Sequence, residues 1–392
     1  MLPVLAVAAL SARSLAEAAA ASGRAVLALD LFGDVDTQRA ARQWWPIGEP
    51  ASMQIQAEPL CSALRRAALH GAIGWVAGSG FEQAPELLDL GAAVLPLIGN
   101  RASVLRRLQD PVQFFACLDR HGVPHPAVRR RPPADGAEGW LLKDSAGCGG
   151  WRVRPAAMTT STTTTATGAS TVYHQRVMPG APVSVTFVAN GVEAVVLGFN
   201  EQRTQAIGGQ PYVFAGVVGP VRLPAAAARD LRRALAVLVA EFGLRGLGSL
   251  DALLDGDRIS VLELNPRPPA SLALYPSCAG VPLIDVHLAA CLYGQLPPHP
   301  DESADAARPR GHAVVYARQA LEISSAAAVQ LAAWPHLHDV PQPGTRVGAG
   351  EPLCCLSVPA HPSSQALSPA SVHARLDHHI EHLLHTLENT PP

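Results

Sequence analysis

Lysine is almost missing from this chain of 392 residues: of its 30 basic residues only Lys143 is a lysine, and the rest are arginines. A basic excess is missing too. The net charge of −2 leaves no positive stripe to follow a phosphate backbone, so nucleic acid is not an expected partner. No apolar run reaches the ~18–20 residues of a membrane span, so no membrane is expected either. The 7 cysteines show no CxxC spacing, and Cys354 and Cys355 are adjacent. Reduced thiols suit this pattern better than a disulfide framework, which points to the cytoplasm. Cys148 lies in a Gly-rich turn, where it reads as a small filler rather than a reactive thiol.

Apolar residues are abundant, at 48% of the chain, enough for two or three domains with proper cores. The opening "MLPVLAVAALSARSLAEAAAASG" lacks a basic n-region, and Arg13 and Glu17 interrupt it, so it does not read as an export signal. It reads as a strand from Pro3 to Ala9, a helix capped near Ser11, and a strand from Arg24 to Phe32. To about residue 100, further short strands ("AIGWVAGSG", "AAVLPLIGN") alternate with Ala-rich helices, as in a parallel sheet covered by helices. Asp30, Asp34 and Asp36 stand at a strand end. They are either a ligand site at the carboxyl edge of the sheet or turn and cap acids.

From residue 101 the spacing predicts a helix, a break at Asp110-Pro111 and a second helix. The strand carrying Lys143 follows, then a Thr/Ser run, 159 to 171, read as a loop. Residues 171 to 200 predict antiparallel strands with Pro-Gly and Asn-Gly turns. Residues 223 to 243 predict a helix stopped by Gly243, a strand pair spans 246 to 265, and 281 to 293 is helical. A Pro-rich linker leads to a smaller, mostly β segment and a helix near 369 to 389.

The chemistry concentrates in "LGSLDALLDGDRISVLELNPRPPAS". Two apolar runs flank Asp255-Gly256-Asp257, a hairpin, in which Glu263 and Asn265 share a face while Leu262 and Leu264 point to the core. Asp251 joins the face of Glu263 if the loop has an odd number of residues; an even loop puts it on the other side. Three oxygen donors converging there suit Mg2+, which is usually shared between carboxylates and a nucleotide. Arg267 stands where it can clamp an anion on that metal. Lys143, before Gly147, Gly149 and Gly150, adds a compact charge beside a turn whose backbone N–H groups can approach phosphate.

Lys143 with its glycines, then "YHQRVMPG", then Asp251 with Glu263-Leu-Asn265-Pro-Arg267, in that order, resemble the ATP-grasp superfamily of carboxylate-amine and carboxylate-thiol ligases over roughly residues 1 to 300. The resemblance implies an α/β and α+β chain with the ATP-grasp fold. It divides into a Rossmann-like domain (1–100), a small subdomain (101–180), a large subdomain with the metal site (181–300) and a C-terminal β-rich extension with a helix (311–392). It also implies ATP and Mg2+ as cofactors. Lys143 and the glycines would meet the nucleotide, Gln175, Arg176, Val177 and Met178 the adenine, with backbone groups of Arg176 and Met178 reading its edge. Asp251, Glu263 and Asn265 would hold the metal, and Arg267 with Lys143 would act in catalysis.

The sequence departs from that pattern in three places. An earlier lysine common in relatives has no counterpart, Arg107 being the nearest substitute. Gln175 replaces an acidic hinge residue, and Pro182 stands near the place of a ribose-binding Glu. The segment "WPHLHDVPQPGTRVGAGEPLCCLSVPA" and the early "ALDLFGDVDT" resemble a branch linked with one-carbon cofactor assembly of the methanopterin and methanofuran kind.

The reaction implied is activation of a carboxylate by ATP and its joining to an amine. The expected partners are small-molecule carboxylate and amine substrates, with a homodimer left open. Arg203 and Arg245 are secondary candidates for the substrate carboxylate or plain surface charges. A rival of another class is a non-catalytic ATP sensor that keeps the fold. A third reading, a metal site on "DHHIEHLLH" through His378, His382 and His385, competes with a solvated helix face.

Overall fold

The structure is a computed structural model that describes residues 2–133, 136–158, 171–300, 308–360 and 367–388. The Thr/Ser run is outside the described residues except for Thr171, as is the middle of the Pro-rich linker.

The N-terminal strands Val4–Ala8, Val26–Asp30 and Ala72–Ala77 pair in parallel, joined by Gln43–Pro46 at one edge. Their side chains alternate in two directions, as the strand period requires. Leu5, Val7, Val26 and Ala28 pack with helix Arg13–Ala21 and with helix Leu283–Tyr293. Ala6, Ala8, Leu27 and Leu29 pack with Leu60, Leu64 and Trp75. Two expectations fail locally. The first helix has no side-chain cap, because the Ser11 hydroxyl donates instead to Asp339 at 2.8 Å. "AAVLPLIGN" contributes a single bridge, Trp75 to Leu97, rather than a strand, whereas Gln43–Pro46, "QWWP", was not expected as one.

Helices Ala102–Gln109 and Pro111–Arg120 meet at Asp110, whose carboxylate accepts from the Val112 N–H at 2.9 Å. Beyond them a small sheet runs Val128–Arg129, Val172–Arg176, Trp140–Asp144, Val153–Pro155. The largest sheet has eight strands, in the order Arg258–Asn265, Arg245–Asp255, Ala181–Asn190, Ala194–Ile207, Gln210–Val221, Arg310–Tyr316, Pro352–Val358, Leu337–His338. Three C-terminal strands therefore extend this sheet, while Leu321–Glu322 and Arg346–Val347 pair as a small sheet of their own.

Helix Ala225–Phe242 covers one face of the large sheet. Its Ala227, Leu231, Ala234, Leu235, Leu238 and Phe242 recur at helical spacing, and all are buried against Phe187, Leu250 and Val261. Each buried Leu or Phe contributes about 2 kcal/mol, and Gly243 closes the helix at φ 67. Helix Pro369–Glu388 packs Val372 and Leu376 on the C-terminal strands. The opposite face of the large sheet is left to the N-terminal core at one end and to a cavity at the other.

Candidate active site

Between the small sheet and the large one lies a cavity of about 420 Å³. Lys143, Gly147, Gly149, Gly150, Gln175, Arg176, Val177, Met178, Asp251, Glu263, Asn265 and Arg267 all line it. These residues come from four separate stretches of chain, and folding brings them to one wall-to-wall space.

The hairpin reaches this arrangement by a route the alternation rule misses. Asp255 pairs with Arg258, so the loop is the two residues Gly256 and Asp257, the even count that should turn Asp251 away from Glu263. A β-bulge between Asp251 and Ala252 shifts the register by one, and Asp251 then pairs with Glu263 and Ser249 with Asn265. The extra residue is Leu262, and bulges of this kind re-aim side chains beside functional sites. Leu262 lines the cavity instead of joining the core, while Leu264 is buried as expected.

Lys143 sits on strand Trp140–Asp144 and is buried. Its Nζ donates to Gln175 Oε1 at 3.3 Å and lies 3.6 Å from Glu263 Oε2. Burial works against its charge, but Tyr173 and Glu263 outweigh it, and the ammonium pKa is raised. Gln175 is therefore the lysine's neutral partner, and its buried Nε2 donor has no acceptor among the described residues. The Arg176 N–H is committed to the Ala127 carbonyl at 2.8 Å and that of Val177 to Gly139 at 2.9 Å. Of the backbone groups assigned to adenine, this leaves the Arg176 carbonyl and the Met178 peptide.

The Gly-rich turn packs on the large sheet through Phe214 N–H to Gly149 O, 2.9 Å. Gly150 is required there: its φ is +76, and a Cβ would come within 2.0 Å of the Tyr212 carbonyl oxygen. Cys148 is held as a neutral thiol, pushed up to about 11 by burial and the charge of Glu82.

The donor set fits a hard cation. Among the described residues Asp251 Oδ1 is buried with no partner within hydrogen-bond geometry, although the Gln202 side chain is near enough to favour the charged carboxylate. Asn265 Nδ2 donates to Asp251 Oδ2 at 3.2 Å, which leaves the Asn265 carbonyl oxygen for another role. Burial first, then the neighbouring Glu263, pushes the Asp251 carboxyl up to about 7. Two carboxylates that repel each other, with one oxygen orphaned, are what a divalent cation relieves.

Arg267 is ion-paired to Glu82, which also accepts the Gly80 N–H at 2.6 Å. Burial opposes its charge and Glu82 outweighs it, so its pKa is raised. Sequence reasoning missed Glu82, which sits in the turn Phe81–Gln83 of the N-terminal unit. It also missed Ser184, Gln202 and Ser271, which line the cavity on the large-sheet side. No local pattern in "GFEQ" or "PVSVTF" marks them.

Other candidates lie outside the cavity. Arg107 bonds the Glu241 carbonyl at 3.0 Å and lies over the Phe242 ring, so from this position it does not replace the earlier lysine. Arg203 pairs with Asp377 and His373 of the last helix, and Arg245 meets Asn100 through its backbone. Pro182 does line the cavity. Asp30 accepts from Ala12, Gly33 and the Trp44 indole, and Asp36 from the Asp339 and Val340 N–H groups. These two acids hold turns and dock the C-terminal segment. His378 and His382 stand with ring centroids 6.4 Å apart. Among the described residues, the groups close enough to share a metal are Cys117, His121 and Glu241, and Glu17, Asp36 and His338, and neither includes that helix. All seven cysteines are free. No helix of the described residues is long and apolar enough to cross a membrane.

Residues 108–271 match the ATP-grasp domain family. The large chain of carbamoyl phosphate synthase from Thermoplasma volcanium is 28% identical over 114 residues, 29% of this chain and 11% of that one. The chain thus matches about a tenth of that relative's length. Among solved structures, a biotin carboxylase–β,γ-ATP complex from Campylobacter jejuni superposes with a TM-score of 0.69 at 16% identity, covering 99% of this chain and 96% of the other. N5-carboxyaminoimidazole synthase from Aspergillus clavatus, in complex with ADP and 5-aminoimidazole ribonucleotide, gives 0.64 at 16% identity over 99% of each. The N5-carboxyaminoimidazole ribonucleotide synthetase of Thermus thermophilus gives 0.63 at 17%, over 95% and 98%. The chain has the mixed α/β ATP-grasp fold.

Proposed function

We propose that this protein is an ATP-dependent ligase that activates a carboxylate as an acyl phosphate and joins it to an amine, releasing ADP and phosphate. The observation that carries the reading is the convergence of Lys143, Asp251, Glu263, Asn265 and Arg267 with the Gly-rich turn around one cavity. The matched domain family supports it.

Asp251, Glu263 and Asn265 would hold Mg2+, which when bound neutralises phosphate charge. Lys143 lies between hinge and metal ligands, placed to meet phosphate oxygens. The amides of the Gly147–Gly150 turn would cover them, and the orphaned Gln175 Nε2 would donate to a purine nitrogen. A carboxylate oxygen then attacks the γ-phosphorus, the β–γ bridge breaks, and ADP leaves. The amine attacks the acyl carbon, the C–O bond to phosphate breaks, and the amine proton goes to water. Arg267, fixed by Glu82, would stabilise the charge on the transferred group. Positioning and charge, not a side-chain nucleophile, supply the acceleration.

The four-part domain division belongs to this proposal, as does a role in one-carbon cofactor assembly, whose support is the resemblance of residues 334–360 and of the early aspartate-rich strand. The test is ADP release from Mg-ATP with acid and amine together against either alone. Tight Mg-ATP binding with no turnover for any pair would favour the sensor instead. Glu263→Gln is expected to lose Mg-dependent turnover by about 100-fold or more while the protein still folds; normal activity would remove the metal assignment.

A further inference from the structure

The metal-ligand rows continue across the large sheet as a polar stripe. In register, Glu263 pairs with Asp251, Asp251 with Ser184, and Ser184 with Asn200. In the next row Asn265 pairs with Ser249, and Ser249 with Thr186. Beyond the metal ligands this stripe is buried: Ser184, Thr186 and Asn200 are at most 2% exposed, and Ser271 is 4%. Burying so many polar groups is unfavourable unless each is bonded or held for a ligand.

The direction of these bonds follows from which protons lack any other acceptor among the described residues. The Tyr275 hydroxyl donates to Asn200 Oδ1 at 2.5 Å, and Gly198 leaves it room, since a Cβ there would stand 2.2 Å from that oxygen. Asn200 Nδ2 is thereby turned to Thr186 Oγ1, 3.0 Å, and Ser184 Oγ, 3.2 Å. Thr186 Oγ1 lies 2.6 Å from Ser271 Oγ, a pair in which either hydroxyl can donate. Thr186 is fully buried and has no other acceptor for its proton among the described residues, so we assign it as the donor. Ser184 and Ser271 each accept a bond, and among the described residues neither hydroxyl has a protein acceptor. Both residues line the cavity, so two O–H donors are left for a ligand.

Charge narrows the ligand further. The cationic lining residues are Lys143, Arg152, Arg176 and Arg267. Arg152 pairs with Asp144 and Gln83, and Arg176 lies at the hinge over the Trp140 ring. Lys143 and Arg267 are the two that the ATP phosphates would use. Among the described residues, the large-sheet wall has no cation left for a second phosphate.

Building on the ligase reading, we propose that Ser184 and Ser271 form the co-substrate subsite, which takes an unphosphorylated acid or amine bearing neutral acceptor oxygens, with Thr186 and Asn200 as positioning residues. The probes are the amino acids, their primary amides and glycerate on one side, and phosphoserine and ribose 5-phosphate on the other. ADP release and melting shifts are followed in the presence of Mg-ATP. A saturable response is expected from the first set and none from the second. For a responding probe, Ser271→Ala and Thr186→Val should raise KM about tenfold, the worth of one hydrogen bond. Thr186→Ser, which keeps the relay, should not, and Mg-ATP affinity should move less than about twofold in all three. Should Thr186→Val unfold, Ser271→Ala carries the same comparison. A saturable response to a phosphorylated probe, a KM unmoved by the variants, or silence from the whole first set in an enzyme that binds Mg-ATP overturns the subsite. Failure of the parent to bind Mg-ATP instead refutes the ligase reading itself.

Discussion

Asp251→Asn should stabilise the nucleotide-free protein while removing its response to magnesium. In the folded state the Asp251 carboxyl is raised from 3.8 to about 7 by burial and by Glu263. The folded chain therefore holds a proton that the unfolded chain has released, and stability falls as pH rises from about 4 to about 7. At 1.36 kcal/mol per pH unit the full effect above pH 7 is about 4 kcal/mol. Glu263 is half exposed, and water screens part of its repulsion, so about 2 kcal/mol is expected. Asparagine copies the protonated acid and can still accept from Asn265. For a chain of this size, whose unfolding entropy is about 0.8 kcal/mol/K, the gain is a melting-temperature rise of about 2–3 °C at pH 8, shrinking towards zero near pH 4. Scanning fluorimetry from pH 4 to 8, with and without Mg-ADP, reads both effects. A variant less stable than the parent at pH 8 without magnesium, or one that keeps the magnesium-dependent gain, would refute the reasoning.

Lys143→Arg keeps the charge but sets a bulkier planar group in a buried slot between Gln175 and Glu263, and should weaken Mg-ATP binding about tenfold by titration calorimetry. Unchanged binding would make the lone lysine an accident of composition. Gly150→Ala drives a Cβ into the Tyr212 carbonyl at positive φ; the turn should detach, with ATP KM rising about tenfold for a strain of about 1–2 kcal/mol. Arg13→Met leaves Asp339, now paired with it at 3.0 Å, as a buried lone carboxylate, and should lower stability by about 3 kcal/mol in denaturant titrations at pH 7. Burial alone would raise the Asp339 carboxyl, and Arg13 outweighs it, so its pKa is lowered. The contribution is therefore present at neutral pH and lost as pH falls below the ordinary carboxylate range.

Much was legible in the chain because it depends on local periodicity. The helix 225–242, with Gly243 in the left-handed region, follows from apolar spacing and a C-terminal glycine. The break at Asp110-Pro111 follows from proline's missing N–H and an aspartate cap. Residues that share a strand and a motif, such as Glu263 and Asn265, could be placed on one face by counting. Where Asp251 points could not, because the loop length alone gave the opposite answer and a bulge at Leu262 reversed it. A bulge depends on how two strands pack against their neighbours, and no residue in either strand announces it.

Long-range partners were equally closed to the sequence. Glu82 and Arg267 are 185 positions apart, and Thr186 and Ser271 are 85 apart. Each is an ordinary polar residue until a second segment is folded against it, since hydrogen bonds and ion pairs act over a few ångströms whatever the separation along the chain. The sequence by itself determined most of the elements, the order of the motifs and the one lysine. Only the tertiary structure decided that the lysine faces Gln175 and Glu263, and that the stripe beyond the metal ligands ends in two hydroxyls without a protein acceptor among the described residues.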